Sequence, residues 1–162
     1  MKNNDLEKAF IEMVHTNERV IYKVCSFYIT EDLLMEDLYQ EVVANLWIGY
    51  PKFRNESTIS TWIYRISLNT CISGLRKDKR SPKGTSIPFL NEAISEPENM
   101  SEQIGEMYRM IQQLKTLEKA IILLWLEEKS YQEIADITGL TVTNVATKLK
   151  RIKEKLRKMS NF

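Results

Sequence analysis

Apolar residues recur at helical spacing in two parts of the chain, separated by a stretch that has no period. From Leu6 to Tyr28 they fall at Leu6, Phe10, Met13, Val14, Ile21, Val24 and Tyr28, which predicts a helical segment with one inner face. Thr30 then reads as an N-cap, with Glu31 and Asp32 placed to favour the positive helix end. The helix it opens runs to about Ile48, carries Leu34, Leu38, Val42 and Trp47 inward, and is stopped by Gly49, Tyr50 and Pro51. After a loop from Pro51 to Glu56, Ser57 or Thr58 caps a third helix. Its predicted inward positions are Ile59, Ile63, Ile66, Thr70 and Ile72, and it ends in the basic run Leu75 to Arg80.

The pattern then stops. Pro82, Gly84, Pro88 and Pro97 break up the following stretch, in which Ile87, Phe89 and Leu90 offer only local contacts, so it reads as a linker. Helical period resumes over Glu102 to Leu114 and Leu117 to Glu127, the second strongly apolar through Ile121, Ile122, Leu124 and Trp125. Ser130 and Glu133 form a capping-box pattern opening a short helix, Tyr131 to Ile137. Gly139 supplies a tight turn, and Thr141 caps a final helix to about Lys158. Five glycines and four prolines in 162 residues suit long helices, and no run alternates strictly as a half-buried strand would. The expected fold is all-α: two small helical domains, 1–81 and 101–162, joined by a flexible linker over 82–100.

The stretch from Tyr131 to Leu149 is the most informative. Ala135 is small where two helices must cross closely, and Gly139 can take the positive φ of a sharp inter-helix turn. Ile134, Leu140 and Val145 fall where the small core of a helix-turn-helix needs them. In the last helix Val142, Val145, Leu149, Ile152 and Leu156 recur by threes and fours and point inward. The outer side carries Thr143, Asn144, Thr147, Lys148, Lys150, Arg151 and Lys153. A recognition helix puts its N-terminal residues at base edges and its later cations on phosphates. Asn144, Thr147 and Lys148 are therefore expected at bases, Lys150 and Lys153 at the backbone, and Arg151 at either. A solvated cationic helix end is the alternative that the preceding turn signature argues against.

Charge sharpens this picture. The net charge is only +1, yet acidic residues cluster over Glu31, Asp32, Glu36, Asp37 and Glu41, whereas basic ones cluster over Arg76 to Lys83 and Lys148 to Lys158. Screening cuts exposed charges off beyond about 8–10 Å, so local field decides what each surface attracts. Two kinds of partner are implied. Near the first basic run, aromatics interleave with cations: Tyr50, Phe53 and Arg54, then Trp62, Tyr64, Arg65 and Asn69. That mixture suits single strands, where bases stack and phosphates pair, although aromatics in amphipathic helices also serve as core.

Other chemistry is weakly supported. No Gly-rich phosphate loop or zinc-like Cys/His spacing occurs, and a single histidine makes a catalytic triad a poor fit. Glu12-x-x-His15 has the spacing of a di-iron ligand pair, but no second copy exists. No catalytic residue, metal or cofactor is therefore expected. Cys25 and Cys71 read as free, buried thiols of a reducing compartment. No apolar run approaches the roughly 18–20 residues of a membrane span, and no signal-peptide core opens the chain, so a cytoplasmic protein is expected.

The residues Asp37-Leu38-Tyr39-Gln40-Glu41, with Trp47 beyond them, then Phe53-Arg54 and the run Ser60 to Thr70, closely resemble region two of bacterial sigma factors. The helix-turn-helix stretch resembles their region four. Both lie in the right order with a short linker between, and this layout resembles the extracytoplasmic-function group. The resemblance implies a factor, not an enzyme, that binds core RNA polymerase through Glu36, Asp37, Gln40 and Glu41. It implies opening of the minus-ten promoter element, with capture of a flipped base, by Lys52, Phe53, Arg54, Asn55, Glu56, Trp62, Arg65, Asn69, Arg76 and Lys77. It implies duplex reading of the minus-thirty-five element by the final helix, and an anti-sigma factor as a further partner. The sequence departs from the family at Glu118, where proline is frequent, and at Lys148 and Lys153, where arginine is frequent; lysine lacks the bidentate fork that fits guanine. Two rival readings remain open at this stage: a dimeric helix-turn-helix regulator, and a polymerase-binding protein whose final helix is dispensable.

Overall fold

The computed structural model describes residues 3–76 and 102–160, and the chain divides into two compact units, Met1–Glu98 and Asn99–Phe162. The described residues form eight α-helices and one 3-10 turn, with no strand among them. The predicted linker 82–100, with Ile87, Phe89 and Leu90, lies outside the described residues, as does Lys77.

The first unit holds α1 (Asn3–Thr16), α2 (Glu18–Ser26), α3 (Met35–Gly49), a 3-10 turn (Tyr50–Lys52) and α4 (Ile59–Arg76). The predicted helical segment from Leu6 to Tyr28 is two helices, because local polar groups take over the backbone at the junction. The Asn17 amide donates to the Met13 carbonyl at 2.8 Å, and the Thr16 hydroxyl to the Glu12 carbonyl at 2.9 Å. Such bonds satisfy the orphan carbonyls of a helix end. Thr30 caps a turn and not a helix: its hydroxyl accepts from the Leu33 amide at 3.0 Å, and α3 opens later, at Met35. Leu34 is consequently 55% exposed, where the sequence pattern placed it inward. Glu36 and Asp37, not Glu31 and Asp32, supply the negative charge of the first turn.

Between the two caps proposed for α4, the structure selects Thr58, whose hydroxyl accepts from the Thr61 amide at 3.1 Å. The helix packs against both α2 and α3. Its buried face is therefore broader than, and rotated from, the predicted one: Trp62, Ile63, Tyr64, Ser67, Leu68 and Cys71 are buried, whereas Ile59, Ile66 and Ile72 are half-buried. Register against α3 is pinned by the Asn45 amide donating to the Thr70 hydroxyl at 2.9 Å, which itself donates to the Ile66 carbonyl at 2.7 Å. Cys25 and Cys71 are buried and free, with their sulfurs 4.0 Å apart.

The second unit holds α5 (Glu102–Ile111), α6 (Thr116–Leu126), α7 (Tyr131–Thr138) and α8 (Val142–Ser160). Ile121, Ile122, Leu123 and Leu124 of α6 are all buried and form its centre, with Ile111, Ile134, Val145, Leu149 and Ile152 around them. Trp125, which belongs to the same apolar run, is 36% exposed, with the Lys153 ammonium 4.1 Å from its ring centroid. Glu118 has a clear structural use. Its carboxylate accepts from the Lys115 amide at 2.9 Å, capping α6, and from the Lys155 ammonium at 2.9 Å, tying α6 to α8. A proline at that position would fit an early helix turn but offer neither bond.

Candidate nucleic-acid interface

The helix-turn-helix is built from local chemistry. The Ser130 hydroxyl accepts from the Glu133 amide at 3.1 Å, while the Glu133 carboxylate accepts from the Ser130 amide at 2.8 Å. Those bonds hold the Glu133 carboxyl below its ordinary range. Gly139 sits at φ +84°, its amide closing on the Ala135 carbonyl at 2.8 Å. A side chain there would be strained in the left-handed region. Thr141 then caps α8, accepting from the Asn144 amide at 3.1 Å.

With its start fixed, α8 buries Val145, Leu149 and Ile152 along one edge; Leu156 is half-buried and Val142, expected inward, is 39% exposed. Advancing about 100° per residue, the opposite side collects Thr143, Thr147, Lys150 and Arg151, all exposed. Asn144 is exposed on one flank and Lys148, half-buried, lies beside it. Lys153 lies on the other flank, engaged with Trp125. That flank borders a groove of about 480 Å³ lined by Tyr131, Lys150, Lys153 and Arg157 among others. Tyr131 and Arg157 were not singled out from sequence, because only the crossing of α7 and α8 brings them together.

In the first unit, α4 places Trp62, Arg65 and Asn69 on one stripe, opposite Ile63, Tyr64 and Cys71, while the side chain of Arg76 lies outside the described residues. Asn69 is exposed and Arg65 half-buried, but Trp62 is only 8% exposed. The preceding segment covers it: Phe53 lies 4.9 Å and Tyr50 6.4 Å from Trp62, centroid to centroid. Trp62 therefore offers no open face to a base, contrary to the simplest reading of the sequence. Lys52, Arg54, Asn55 and Glu56 are exposed in the loop and Phe53 is half-buried, with Asn55 at φ +60°. Asparagine tolerates that conformation better than most side chains.

The outer face of α3 carries Asp37, Glu41, Ala44 and Ile48 at successive helical spacings, with half-buried Gln40 beside them and exposed Glu36 a quarter turn away. Ile48 is 57% exposed. It was read only as the helix end, although its spacing from Asp37 and Glu41 places an apolar residue in an acidic rim, the usual make-up of a protein interface.

Comparison with known proteins finds a match in each of the two units. Residues 13–81 match the model of Sigma-70 region 2, and residues 104–156 that of Sigma-70, region 4. The chain is 29% identical over 162 aligned residues to the ECF RNA polymerase sigma-E factor of Escherichia coli (strain K12), covering 91% of this chain and 84% of that one. It is 29% identical over 167 aligned residues to the ECF RNA polymerase sigma factor SigW of Bacillus subtilis (strain 168), covering 94% and 89%. In fold it is similar to CnrH, solved in complex with the cytosolic domain of CnrY (TM-score 0.66, 20% identity, covering 96% of this chain and 89% of that one). It is likewise similar to the sigma factor RpoE of Bartonella quintana, solved with the anti-sigma factor NepR (TM-score 0.67, 19% identity, 95% of each chain). With both regions matched in order, the chain belongs to the sigma-70 family, as an alternative sigma factor of the extracytoplasmic-function group that directs transcription initiation.

Proposed function

We propose that the three surfaces divide the work of initiation, on a chain organised as modules 1–81 and 101–162 joined by 82–100. Core RNA polymerase docks on α3 through Asp37, Gln40 and Glu41, with Glu36 at the edge and Ile48 as the apolar centre of the contact. Complementary charge speeds and orients such docking. The loop Lys52 to Glu56 and the α4 stripe of Arg65 and Asn69, with Arg76 and Lys77 further along the chain, hold the opened minus-ten strand. Trp62 supports that loop from below. In α8, Thr143, Asn144, Thr147 and Lys148 face bases of the minus-thirty-five duplex, Lys150 holds phosphate, Arg151 serves either, and Lys153 is shared with Trp125.

The observation that carries this reading is the exposed row Thr143, Thr147, Lys150 and Arg151 on a helix whose other edge is fully buried. Energetics assign the polymerase a necessary part. Opening costs roughly 1–2 kcal/mol per lost stacking step, while each captured base returns about 1–3 kcal/mol. So small a module holds one or two bases, and the free factor binds promoters weakly. It acts without a catalytic centre or cofactor of its own, in the cytoplasm, and an anti-sigma factor that covers the same surfaces controls it. No helix among the described residues is long and apolar enough to cross a membrane.

Run-off transcription with matched core polymerase on genomic fragments tests the proposal. Start sites preceded by two boxes at constant spacing are the expected result. A purified chain that neither associates with core enzyme at low salt nor yields such starts sinks it. A dimeric operator-binding regulator would instead elute as a dimer and bind palindromes without polymerase.

A further inference from the structure

We infer that Gly49 and Trp62 are positioning residues for promoter opening, setting the loop that captures the flipped base without touching DNA. The inference rests on the role proposed above for residues 52–56. Gly49 ends α3, at φ −86° and ψ −12°, an ordinary right-handed backbone that any residue adopts. Its lack of a side chain answers to space: a methyl group there would meet Trp62 Cζ2 at 3.3 Å, inside comfortable packing distance.

Trp62 lies on the same α4 stripe as Arg65 and Asn69, yet it is almost fully covered. On it rests Phe53, the only half-buried residue between Pro51 and Glu56, at 4.9 Å. Tyr50 lies 6.4 Å from Trp62 and, on its other side, 5.3 Å from Phe10, which is fully buried. A chain of edge-to-face and tilted ring contacts thus runs from the core to the loop. Its members have few rotatable bonds, and such ring pairs prefer defined geometries, so displacement of Trp62 passes to Phe53 and to its neighbours Arg54 and Asn55. The ring that seats the DNA loop thereby fits beside the end of the polymerase-docking helix because position 49 has no side chain.

The test uses the full chain assembled with matched core polymerase. The promoter, found by run-off, carries a fluorescent base analogue in the minus-ten non-template strand. Alanine is a better helix former than glycine, so a purely local effect of Gly49→Ala would leave the fold as stable or more stable. The expected result is an unchanged melting temperature and unchanged association with core enzyme. Promoter opening falls about threefold or more, and discrimination among single-stranded minus-ten oligonucleotides differing at the captured base weakens. Trp62→Phe removes the atom that the new methyl meets. The double variant Gly49→Ala/Trp62→Phe is therefore expected to open promoters no worse than the poorer single variant, whereas independent defects would multiply. Normal opening and discrimination by Gly49→Ala, multiplying defects, or losses that track the melting temperature would overturn the inference. Failure of the unsubstituted factor to open the promoter is a separate result that overturns the parent proposal, and this one with it.

Discussion

The two units present their polar faces in opposite ways. In the first, α4 is buried by two neighbouring helices, and only a narrow stripe with Arg65 and Asn69 reaches solvent beside a loop seated on aromatic rings. In the second, α8 is held along one edge by Val145, Leu149 and Ile152 and exposes the rest of its circumference. A deeply buried helix holds a few groups at fixed positions, which suits capture of single bases. A helix held by one edge displays a broad face at the cost of a thin anchor, which suits laying along a groove.

That thin anchor is where the largest effect is expected. Leu149→Ala deletes buried side-chain volume from the apolar edge of α8 and should cost about 2–5 kcal/mol. Trp125 is the sole tryptophan of the second unit, and Trp47 and Trp62 belong to the first. Urea unfolding followed on a Trp47→Phe/Trp62→Phe background, which leaves Trp125 alone, should therefore show the second unit's transition moving to lower urea, while a Trp125→Phe background shows the first unit's transition holding. Equal loss in both units would end the contrast.

Next in size is the division of labour on α8. Asn144→Ala should change base preference at one promoter position, by about 1–3 kcal/mol between best and worst base. Lys150→Ala should weaken binding evenly and lower the salt slope by about one. Lys153→Ala should lower that slope less, because its ammonium is engaged over Trp125, and should change Trp125 fluorescence instead. A change of base preference in Lys150→Ala would mean that the helix presents a different face from the one described. Smaller again is Gly139→Ala, expected to cost roughly 1–2 kcal/mol through its left-handed backbone and to be seen as a lower melting temperature.

The same contrast explains what was legible in the sequence. The ends of α7 and the start of α8 depend on groups within four residues of one another: Ser130 with Glu133, Ala135 with Gly139, and Thr141 with Asn144. Chemistry so local is written in the order of residues. In the first unit the deciding contacts are distant. The inward face of α4 depends on α2 and α3 together, which a single period through Ile59, Ile66 and Ile72 does not anticipate. Trp62 looked like a stacking platform because its stripe is correct, but the cover comes from Tyr50 and Phe53, positions whose side chains a helical pattern does not place. Ile48 and Trp125 escaped for the related reason that an apolar residue is read as core until the packing shows which face is left over. Charge segregation indicated two kinds of partner, and the resemblance of the motifs to sigma regions two and four said which.

The smallest expected effect concerns Glu118, the position where the chain departs from the frequent proline. Burial alone would raise its carboxyl pKa, but the Lys115 amide and then the Lys155 ammonium outweigh it and hold the group below the ordinary 4.5. A lowered pKa in the folded state means that unfolding takes up protons as pH falls. The contribution is therefore fully present above pH 4.5, the unfolded value, and is lost as pH drops through the lowered folded value. Lys155 is substantially exposed, so screening limits the ion pair to no more than about 1 kcal/mol, and the cap is the sturdier half of the interaction. Glu118→Gln, which keeps an acceptor for the Lys115 amide while removing the charge, should lower the second unit's stability at neutral pH by no more than about 1 kcal/mol. It should also flatten the acid limb of its stability curve between pH 4.5 and lower values, measured by urea midpoint through Trp125 fluorescence. Glu133, lowered in the same direction by its bond from the Ser130 amide, would still titrate in that variant, so some acid sensitivity should survive. If the acid limb of Glu118→Gln is as steep as that of the unsubstituted chain, the contact between α6 and α8 contributes nothing in solution, and α8 is held by its apolar edge alone.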